Sequence, residues 1–410
     1  MRIVIATAVY YPQINGVAVF SHNLAKGLVA RGHEVMVLCP SQTGKNYTSK
    51  EDGVLVTRLK SIDVKVYPDQ IHAVPKKKRF WYKKGFRVSV FPGREVRKAL
   101  KDFRPDVVHI QVSDPIGLAV VAVARKMGIP VVVTEHNQPE VLTEPLKLPG
   151  ILRRSINAGL SAYFRKRGKK SDFMTMPSER AIDNLILSRG KEFPVPVAAV
   201  SNGVDLSHFK SGRVDGEIYD KYGISREGLK VLYIGRVDPE KKVGLAIEAF
   251  KKARKVLPKN TEFLIVGDGV DRTRLEKLVS DLGLLNCVRF LGRVLPPDLY
   301  ELYRIGDVFI TASEIETQGI VLIEAAATGL PLIAVNKGAV SEICIDGKNG
   351  ILCEPGNIAE LSDALVKILT DTKLREKFAK ASLQVASQHD FEKTLDRFIN
   401  IYKKVSKNMV

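Results

Sequence analysis

Cysteine is scarce in this sequence, with four residues in 410. They are widely spaced, none forms a Cys-x-x-Cys pair, and each lies in or beside an apolar segment. The four are Cys39, Cys287, Cys344 and Cys353. A disulfide framework or a zinc site needs cysteines at closer and more regular spacing, so this pattern excludes both. We interpret the cysteines as reduced core residues, as is typical of a cytosolic protein.

Long hydrophobic runs are also missing. No stretch of about 18 consecutive apolar residues occurs, which excludes a membrane-spanning helix. The apolar start Ile3–Val9 runs directly into Tyr10–Pro12 and is too short for a signal peptide. No low-complexity segment and no repeat with a period of about 20–50 residues is present. We therefore expect an intracellular protein that does not span a membrane.

The composition is that of a globular chain with a strong positive charge. Apolar residues make up 45% and charged residues 27%, so the chain is neither disordered nor fibrous. Its length fits two domains of roughly 150–200 residues each. The net charge of +19 is uneven, because residues 1–212 hold 34 Lys and Arg against 17 Asp and Glu. Such charge attracts anionic partners, lipid headgroups or nucleic acid, which we expect to meet the first half.

Short apolar, β-branched runs alternate with helical patterns through the first half. The periodicity predicts strands at Ile3–Ala8, Glu34–Cys39, Val54–Leu59, Val107–Gln111, Val131–Glu135, Phe173–Pro177 and Val197–Ser201. It predicts helices at Val19–Arg31, Arg94–Phe103, Ile116–Met127 and Glu179–Ser188. Continuous apolar strands separated by helices imply a parallel sheet covered on both faces, and such sheets bind ligands at the carboxyl ends of their strands.

A second series follows the polar, glycine-containing stretch Asn202–Gly216. Its predicted strands are Lys230–Ile234, Glu262–Val266, Val288–Leu291, Val308–Thr311, Leu332–Val335 and Gly350–Cys353. Its predicted helices are Leu245–Val256, Arg272–Leu282, Pro297–Gly306, Ile320–Thr328 and Ile358–Leu369. We therefore predict an α/β protein with two doubly wound domains in tandem, residues 1–200 and 201–390.

The segment of residues 316–327 carries the most chemical information, because it follows a predicted strand and opens a predicted helix. Gly319 lets the backbone approach a ligand, and the amides at the helix start form an anion site for a phosphate at Ile320–Leu322. Glu324, two turns after Glu316, can accept hydrogen bonds from a ribose. From spacing alone, the alternative is an ordinary loop in which a glutamate caps the helix.

The spacing Glu-x7-Glu with Gln-Gly inside it, followed by Ala325–Pro331, resembles the donor-sugar loop of retaining family-four glycosyltransferases of GT-B fold. Other motifs of that family occur in its order along essentially the whole chain. They are Tyr11–Val17, Leu24–Val35, Pro105–His109, Ser201–Asp205, Gly235–Lys241, Gly267–Gly269, Asp307–Ser313, Gly338–Glu342 and Asp346–Gly350. The resemblance implies two doubly wound Rossmann-like domains that face each other across a cleft. It also implies that the final helix, residues 391–410, packs back on the first domain.

The resemblance further implies a site for a nucleotide sugar in the second domain. Arg236 and Lys241 would hold the nucleotide diphosphate and stabilise the charge that builds on it as the sugar leaves. A solvated surface pair is their alternative. The resemblance assigns sugar hydroxyls to Glu316, the ribose to Glu324, and backbone amides for the donor to Gln318, Gly319, Ile320, Val321 and Leu322. Members of the family have glycine after the lysine, where this chain has Lys242.

Two residues of the first domain match the family's cleft. Gly16 would let the diphosphate and the acceptor approach, with a plain turn after Asn15 as the alternative. His136 stands where the family places a histidine that touches the donor sugar, with a structural histidine as the alternative. No Asp-x-Asp motif and no cluster of metal-ligand residues is present, so we expect neither a metal nor another cofactor. We expect a front-face displacement in which the departing phosphate takes the acceptor's proton.

Two basic segments interrupt the first domain. Residues 76–87 combine seven cations with four aromatic residues, and Ile151–Lys170 has apolar residues at helical spacing among cations. Such segments bind anionic membrane surfaces, although a solvated loop and a core-packed helix with a solvated face are alternatives. The residues that we expect at the membrane or the acceptor are Lys76, Lys77, Lys78, Arg79, Trp81, Arg153, Arg154, Arg165, Lys166 and Arg167.

Together these features predict a glycosyltransferase that moves a hexose, expected to be glucose from UDP, to a membrane lipid such as diacylglycerol. The donor loop, with glutamine at position 318, resembles the donor loop of diacylglycerol glucosyltransferases. We expect a cytoplasmic protein peripheral on the inner face of the cell membrane. The alternatives are a soluble glycosyltransferase for polysaccharide or small-molecule acceptors, a sugar-nucleotide epimerase, and a nucleic-acid-binding protein, for which no recognised module is present. GDP-mannose, UDP-galactose and N-acetylated sugars are alternative donors.

Overall fold

A computed structural model describes residues 1–13, 15–64, 86–111, 114–136, 143, 149–187, 193 and 195–407. Its contacts divide the chain into two units. The first unit is Met1–Asn202 with Glu392–Val410, and the second unit is Gly203–Phe391. In the part of the chain that the structure describes, no helix is both long and apolar enough to cross a bilayer. The four cysteines are buried and free, as predicted.

The first unit is built on a sheet whose middle strands are buried along their whole length. Its strands are β1 (Arg2–Ala6), β2 (Glu34–Pro40), β3 (Tyr47–Glu51), β4 (Val54–Leu59), β5 (Ile62–Val64), β6 (Phe86–Val88), β7 (Val107–Ile110), β8 (Val131–Thr134), β9 (Phe173–Met176) and β10 (Val197–Ala199). Within the described residues, eight of them form one sheet in the order β10-β9-β8-β7-β1-β2-β4-β3. Every pair in it is parallel except the antiparallel edge pair of β3 and β4, and β5 pairs separately with β6.

Helices of the first unit connect these strands, and some of them begin at a side chain that caps the helix. They are α1 (Gly16–Ala30), α2 (Gly93–Phe103), α3 (Pro115–Lys126), α4 (Gly150–Gly168), α5 (Glu179–Leu187) and the final helix, α13 (Phe391–Lys407). Asn15 caps α1 by accepting from the amide of Ala18, and Asp114 caps α3 by accepting from the amide of Gly117. The buried Tyr402 of α13 contacts His109 of β7, so the last helix packs on the first sheet.

The second unit repeats this architecture with a wholly parallel sheet in the order β13-β12-β11-β14-β15-β16. Its strands are β11 (Lys230–Ile234), β12 (Glu262–Val266), β13 (Val288–Gly292), β14 (Val308–Ile310), β15 (Leu332–Val335) and β16 (Gly350–Cys353). Its helices are α6 (Glu217–Tyr222), α7 (Val243–Ala253), α8 (Arg272–Asp281), α9 (Asp298–Arg304), α10 (Ile320–Ala327), α11 (Ile358–Thr370) and α12 (Thr372–Ala386). Alternate residues of β11 enter two different cores, with Val231 and Tyr233 in one and Leu232 and Ile234 in the other.

In each sheet the chain order reverses between two neighbouring strands. The reversal lies between β1 and β7 in the first sheet and between β11 and β14 in the second. Loops that leave such a pair of strands run to opposite sides, which opens a crevice at the carboxyl edge where doubly wound sheets bind ligands. The prediction of two doubly wound α/β domains is confirmed. In such domains the loops that follow these four strands form the ligand site.

Candidate active site

The loop after β11 holds Arg236 at the crevice of the second sheet. The Arg236 guanidinium donates to Asp238 and, at 2.6 Å, to Glu240. Desolvation lowers the pKa of Arg236, but the carboxylates of Glu240, Asp238 and Glu316 outweigh it and leave the pKa raised. The side chain is 54% exposed. Arg236 is therefore a permanent cation that two local carboxylates orient and that still faces solvent.

The glycine motif Gly267–Gly269 packs the loop after β12 against the loop that carries Arg236. A Cβ atom at Gly267 would lie 1.8 Å from the carbonyl oxygen of Gly235, and one at Gly269 would lie 2.2 Å from that of Val237. The Val237 amide donates to the carbonyl oxygen of Asp268 at 3.0 Å. The two backbones touch directly, so these glycines set the position of the Arg236 loop.

Lys241 and Lys242 are neighbours in the chain but bind different carboxylates of the loop after β14. The Lys241 Nζ donates to Glu316 Oε1 at 2.6 Å, and both side chains are 16% exposed. Lys242 donates to Glu314, which also accepts from Lys337 at 2.8 Å. Because β11 and β14 are adjacent, these ion pairs join the two loops of the crevice. Ammonium groups here can bind phosphate oxygens, and the carboxylates can accept from sugar hydroxyls.

Helix α10 begins beside these ion pairs at the predicted phosphate site. Gly319 precedes it in the left-handed region, at φ 83°, and a Cβ atom there would lie 2.9 Å from Leu322 Cδ1. Both conditions favour glycine at this position. The Leu322 amide already donates to the Gly319 carbonyl oxygen at 2.9 Å, whereas helix geometry leaves the amides of Ile320 and Val321 without an intrahelical acceptor. These two amides can bind an anion.

Glu324 lies in the second turn of α10 and accepts a hydrogen bond from the Tyr303 hydroxyl at 2.6 Å. Burial raises the pKa of Glu324 to about 7, although the hydrogen bond from Tyr303 opposes the rise. A carboxylate can accept hydrogen bonds from two ribose hydroxyls, whereas a protonated carboxyl group has lost part of that capacity. Ribose binding by Glu324 would therefore change near neutral pH.

We expect the affinity for a nucleotide ligand whose ribose binds Glu324 to fall as the pH is lowered from about 8 to about 6. With a pKa of about 7, Glu324 is mostly ionised at the upper limit and mostly protonated at the lower one. Calorimetric titration with UDP-glucose measures this directly, because the diphosphate of the donor does not itself titrate in this range. The variant Glu324→Gln should bind weakly and equally at both values.

The same pKa predicts the stability of the control variant. The folded-state pKa of Glu324 lies above its ordinary value, so the ionised side chain reduces the free energy of unfolding above neutral pH. Glu324→Gln should then be at least as stable as the unsubstituted protein at pH 8. A pH dependence of binding that persists unchanged in Glu324→Gln would assign it to another group.

Gly16 lies at the crevice of the first sheet, as the first residue of α1. A Cβ atom there would meet no atom of the described residues within 4 Å. The glycine is therefore not required by packing within the described part of the chain, which leaves room for a ligand beside the start of α1.

His136 follows β8 and is 8% exposed. Its Nε2 lies 2.8 Å from Oε1 of Gln111, and its ring meets Phe20 edge-on at 5.2 Å between centroids. Burial lowers the pKa of His136 to about 4. The ring is therefore neutral at physiological pH and can act only as a hydrogen-bonding group.

Helix α4, which carries the second predicted membrane segment, is buried only along its second half. Phe164 packs with Met174 of β9 in a small cluster and is 6% exposed. Residues 150–155 are all exposed, with Ile151 84% and Leu152 48% exposed. Core packing therefore explains the second half of this helix but not the first.

The structure treats the predicted membrane residues differently. Arg153, Arg154 and Lys166 are exposed. Arg165 lies over the ring of Phe193, at 5.7 Å from its centroid. Arg167 lies within α4, and the residues outside the described part of the chain are Lys76, Lys77, Lys78, Arg79 and Trp81.

Several neighbours of the predicted residues were not predicted. Glu314, two residues before Glu316, joins Lys242 to Lys337. A second glutamate two residues before Glu316 is visible in the sequence, and this spacing could have identified Glu314 as a site residue. Tyr303 and Gln111 gave no such signal, because their partners are distant in sequence and meet them only after folding.

The chain folds into two doubly wound α/β units, and cations, carboxylates and the start of a helix line the crevice of the second unit. This combination is typical of one class of enzyme. These are the GT-B enzymes that transfer a sugar from a nucleotide sugar. Residues 14–208 match the model of Glycosyltransferase Family 4, and residues 215–385 match that of Glycosyl transferases group 1. The chain belongs to glycosyltransferase family 4 and is a retaining glycosyltransferase. This assignment favours a transferase over an epimerase or a nucleic-acid-binding protein.

Individual relatives agree on the family and differ in their named activities. An alpha-monoglucosyldiacylglycerol synthase of Acholeplasma laidlawii is 33% identical over 360 residues, 86% of this chain and 84% of that protein. A glycogen synthase of Mycobacterium tuberculosis is 28% identical over 414 residues, 98% of this chain and 94% of that protein. Among solved structures, a glycosyltransferase of Rickettsia africae has a TM-score of 0.75 at 19% identity, covering 99% of both chains. The Anabaena protein HepE in complex with UDP-glucose has a TM-score of 0.72 at 18% identity, covering 98% of this chain and 100% of that one.

Proposed function

We propose that this enzyme transfers glucose from UDP-glucose to diacylglycerol at a membrane surface, with retention at the anomeric carbon. The observation that carries the lipid acceptor is the exposed start of α4, where Ile151 and Leu152 stand beside Arg153 and Arg154. The relative from Acholeplasma laidlawii supports it, since its name states glucosylation of diacylglycerol. The charge excess of residues 1–212 points to the same anionic surface.

The proposed chemistry uses the crevice of the second unit for the donor. Arg236 and Lys241 bind the diphosphate together with the amides of Ile320 and Val321, and these groups stabilise the charge on the leaving UDP. Glu316 and the neighbouring backbone of Gln318 and Gly319 bind the sugar, and Glu324 binds the ribose. The departing phosphate takes the proton of the acceptor hydroxyl on the same face of the sugar. An α-linked donor therefore gives an α-linked product, whereas a β-linked product would contradict this chemistry.

The start of α4 is suited to an interface between water and lipid. An apolar side chain gains about 25 cal/mol for each Å² of exposed surface that enters an apolar phase. Each cation near an anionic membrane surface adds about 1 kcal/mol. Ile151 and Leu152 supply the apolar surface, and Arg153 and Arg154 supply the charge. The packing of Phe164 holds the helix on the protein.

We expect the double variant Ile151→Ser and Leu152→Ser to lose transfer to diacylglycerol in anionic vesicles at least about tenfold. Transfer to a short-chain diacylglycerol that is dissolved as monomers should be unchanged, because the variant alters membrane contact and leaves the donor site intact. Mass spectrometry of the glucosylated products measures both rates and identifies the product. A parallel reaction with glycogen tests the polysaccharide acceptor named by the mycobacterial relative.

Leu285→Ser is the matched control, since Leu285 is 70% exposed but lies in the second unit, in the turn between α8 and β13. Its rate on vesicles should equal that of the unsubstituted enzyme. Glucosylated glycogen without glucosylated lipid would refute the lipid acceptor. Equal rates of the double variant and Leu285→Ser on vesicles would refute the role of α4.

A further inference from the structure

A buried row of polar side chains connects the final helix to His136. Nδ1 of His109 lies 2.6 Å from the hydroxyl oxygen of Tyr402 on α13, and Nε2 of His109 lies 2.6 Å from that of Thr134 on β8. The amide nitrogen of Gln111 is 3.2 Å from both ring nitrogens of His109. The other end of that amide, Oε1, is 2.8 Å from Nε2 of His136. His109, Gln111 and Tyr402 are completely buried.

The chemistry of these groups decides which atom donates and which accepts in each hydrogen bond. Burial lowers the pKa of His109 to about 3 and that of His136 to about 4, so both rings are neutral. A hydroxyl group lies 2.6 Å from each ring nitrogen of His109. The amide nitrogen of Gln111 is 3.2 Å from both nitrogens and therefore lies over the ring face. The π electrons of a neutral ring attract an N–H group and repel a carbonyl oxygen. This preference turns the carbonyl oxygen of Gln111 toward His136. Because a carbonyl oxygen only accepts, the proton of His136 must be on Nε2.

We propose that Gln111 is a positioning residue that holds His136 in the tautomer with its proton on Nε2. His109, which Tyr402 and Thr134 hold in turn, fixes the orientation of the Gln111 amide. In this tautomer Nδ1 of His136 carries a lone pair, so the ring accepts a hydrogen bond from a hydroxyl of the donor sugar and offers that hydroxyl no proton at Nδ1. The inference rests on the proposed function and on the role at the donor sugar that the family resemblance assigns to His136.

The test combines histidine nitrogen NMR with kinetics on the full-length enzyme. In the unsubstituted protein without substrate, the His136 resonances should report a proton on Nε2. Gln111→Met has a similar length but neither accepts nor donates through an amide, so it should give a mixture of tautomers. Its kcat should fall about tenfold, the effect of one lost hydrogen bond in the transition state, while its KM for UDP-glucose stays within about twofold. Tyr402→Phe should give a smaller fall in kcat.

The control is Ser382→Ala, which removes a buried hydroxyl of the second unit that donates to the Leu330 carbonyl oxygen at 2.7 Å. It should lower the stability and leave the tautomer of His136 and kcat unchanged. A proton on Nδ1 of His136 in the unsubstituted protein would overturn the inference. So would full kcat in Gln111→Met.

His136→Ala separates this inference from the function on which it rests. If His136→Ala loses activity while Gln111→Met keeps it, the positioning role is wrong and the proposed role of His136 stands. If His136→Ala keeps full activity, the proposed role of His136 is wrong. The NMR measurement without substrate still reports whether Gln111 selects the tautomer.

Discussion

Replacing Lys241 by alanine should lower kcat for sugar transfer by about 10²–10³, the usual cost of one group that stabilises charge in a transition state. The Nζ of Lys241 is held by Glu316 at 2.6 Å in a partly buried pair, so it is oriented before the donor arrives. The diphosphate of the bound donor already carries negative charge, and further negative charge builds on it only as the sugar leaves. The loss should therefore appear mainly in kcat, with a smaller rise in the KM for UDP-glucose.

Two further variants separate the charge of Lys241 from other effects of the substitution. Lys241→Arg keeps a cation and should recover part of the activity, since its geometry differs. Lys252→Ala removes an exposed lysine of α7 in the same unit and should leave kcat unchanged. Transfer at an undiminished rate in both Lys241→Ala and Arg236→Ala would refute the assignment of the diphosphate to these two cations.

The architecture was predictable because its strands are continuous apolar runs, and β11 and β12 occur at the predicted bounds. β3 was not predicted, because Tyr47–Glu51 is polar and partly exposed and only its pairing with β4 at the sheet edge makes it a strand. Helix α12 was not predicted either, since few apolar residues such as Phe378 and Val385 are buried along it. Tertiary contacts, and not local pattern, decide such elements.

Site residues that belong to a single sequence motif could be predicted, whereas their contacts with other motifs could not. Glu316 and Lys241 were both predicted, but their ion pair spans 75 positions in the sequence and depends on β11 lying beside β14. Lys242 stands where the family has glycine. It occupies the left-handed region at φ 50°, where a residue other than glycine is strained. That backbone explains the family's glycine at this position. The ion pair with Glu314 offsets part of the strain.

Gly267→Ala should lower the free energy of unfolding of the second unit by roughly 3 kcal/mol or more, which combines overpacking with an unfavourable backbone conformation. The added Cβ atom would lie 1.8 Å from the carbonyl oxygen of Gly235, and φ is 134°. The neighbour is backbone, so no side-chain rotation can relieve the contact. Either the strands separate or the Arg236 loop moves, and activity should fall with stability.

Gly283→Ala isolates the backbone contribution to this effect. Gly283 also has a positive φ, of 66°, but its added Cβ atom would meet no described atom within 4 Å. It should cost only about 1 kcal/mol and leave kcat unchanged. Urea denaturation of both variants, followed by circular dichroism and by activity, compares the two positions. If Gly267→Ala were no less stable than Gly283→Ala, the close contact of the two loops would be wrong. The glycine motif would then have no part in positioning Arg236.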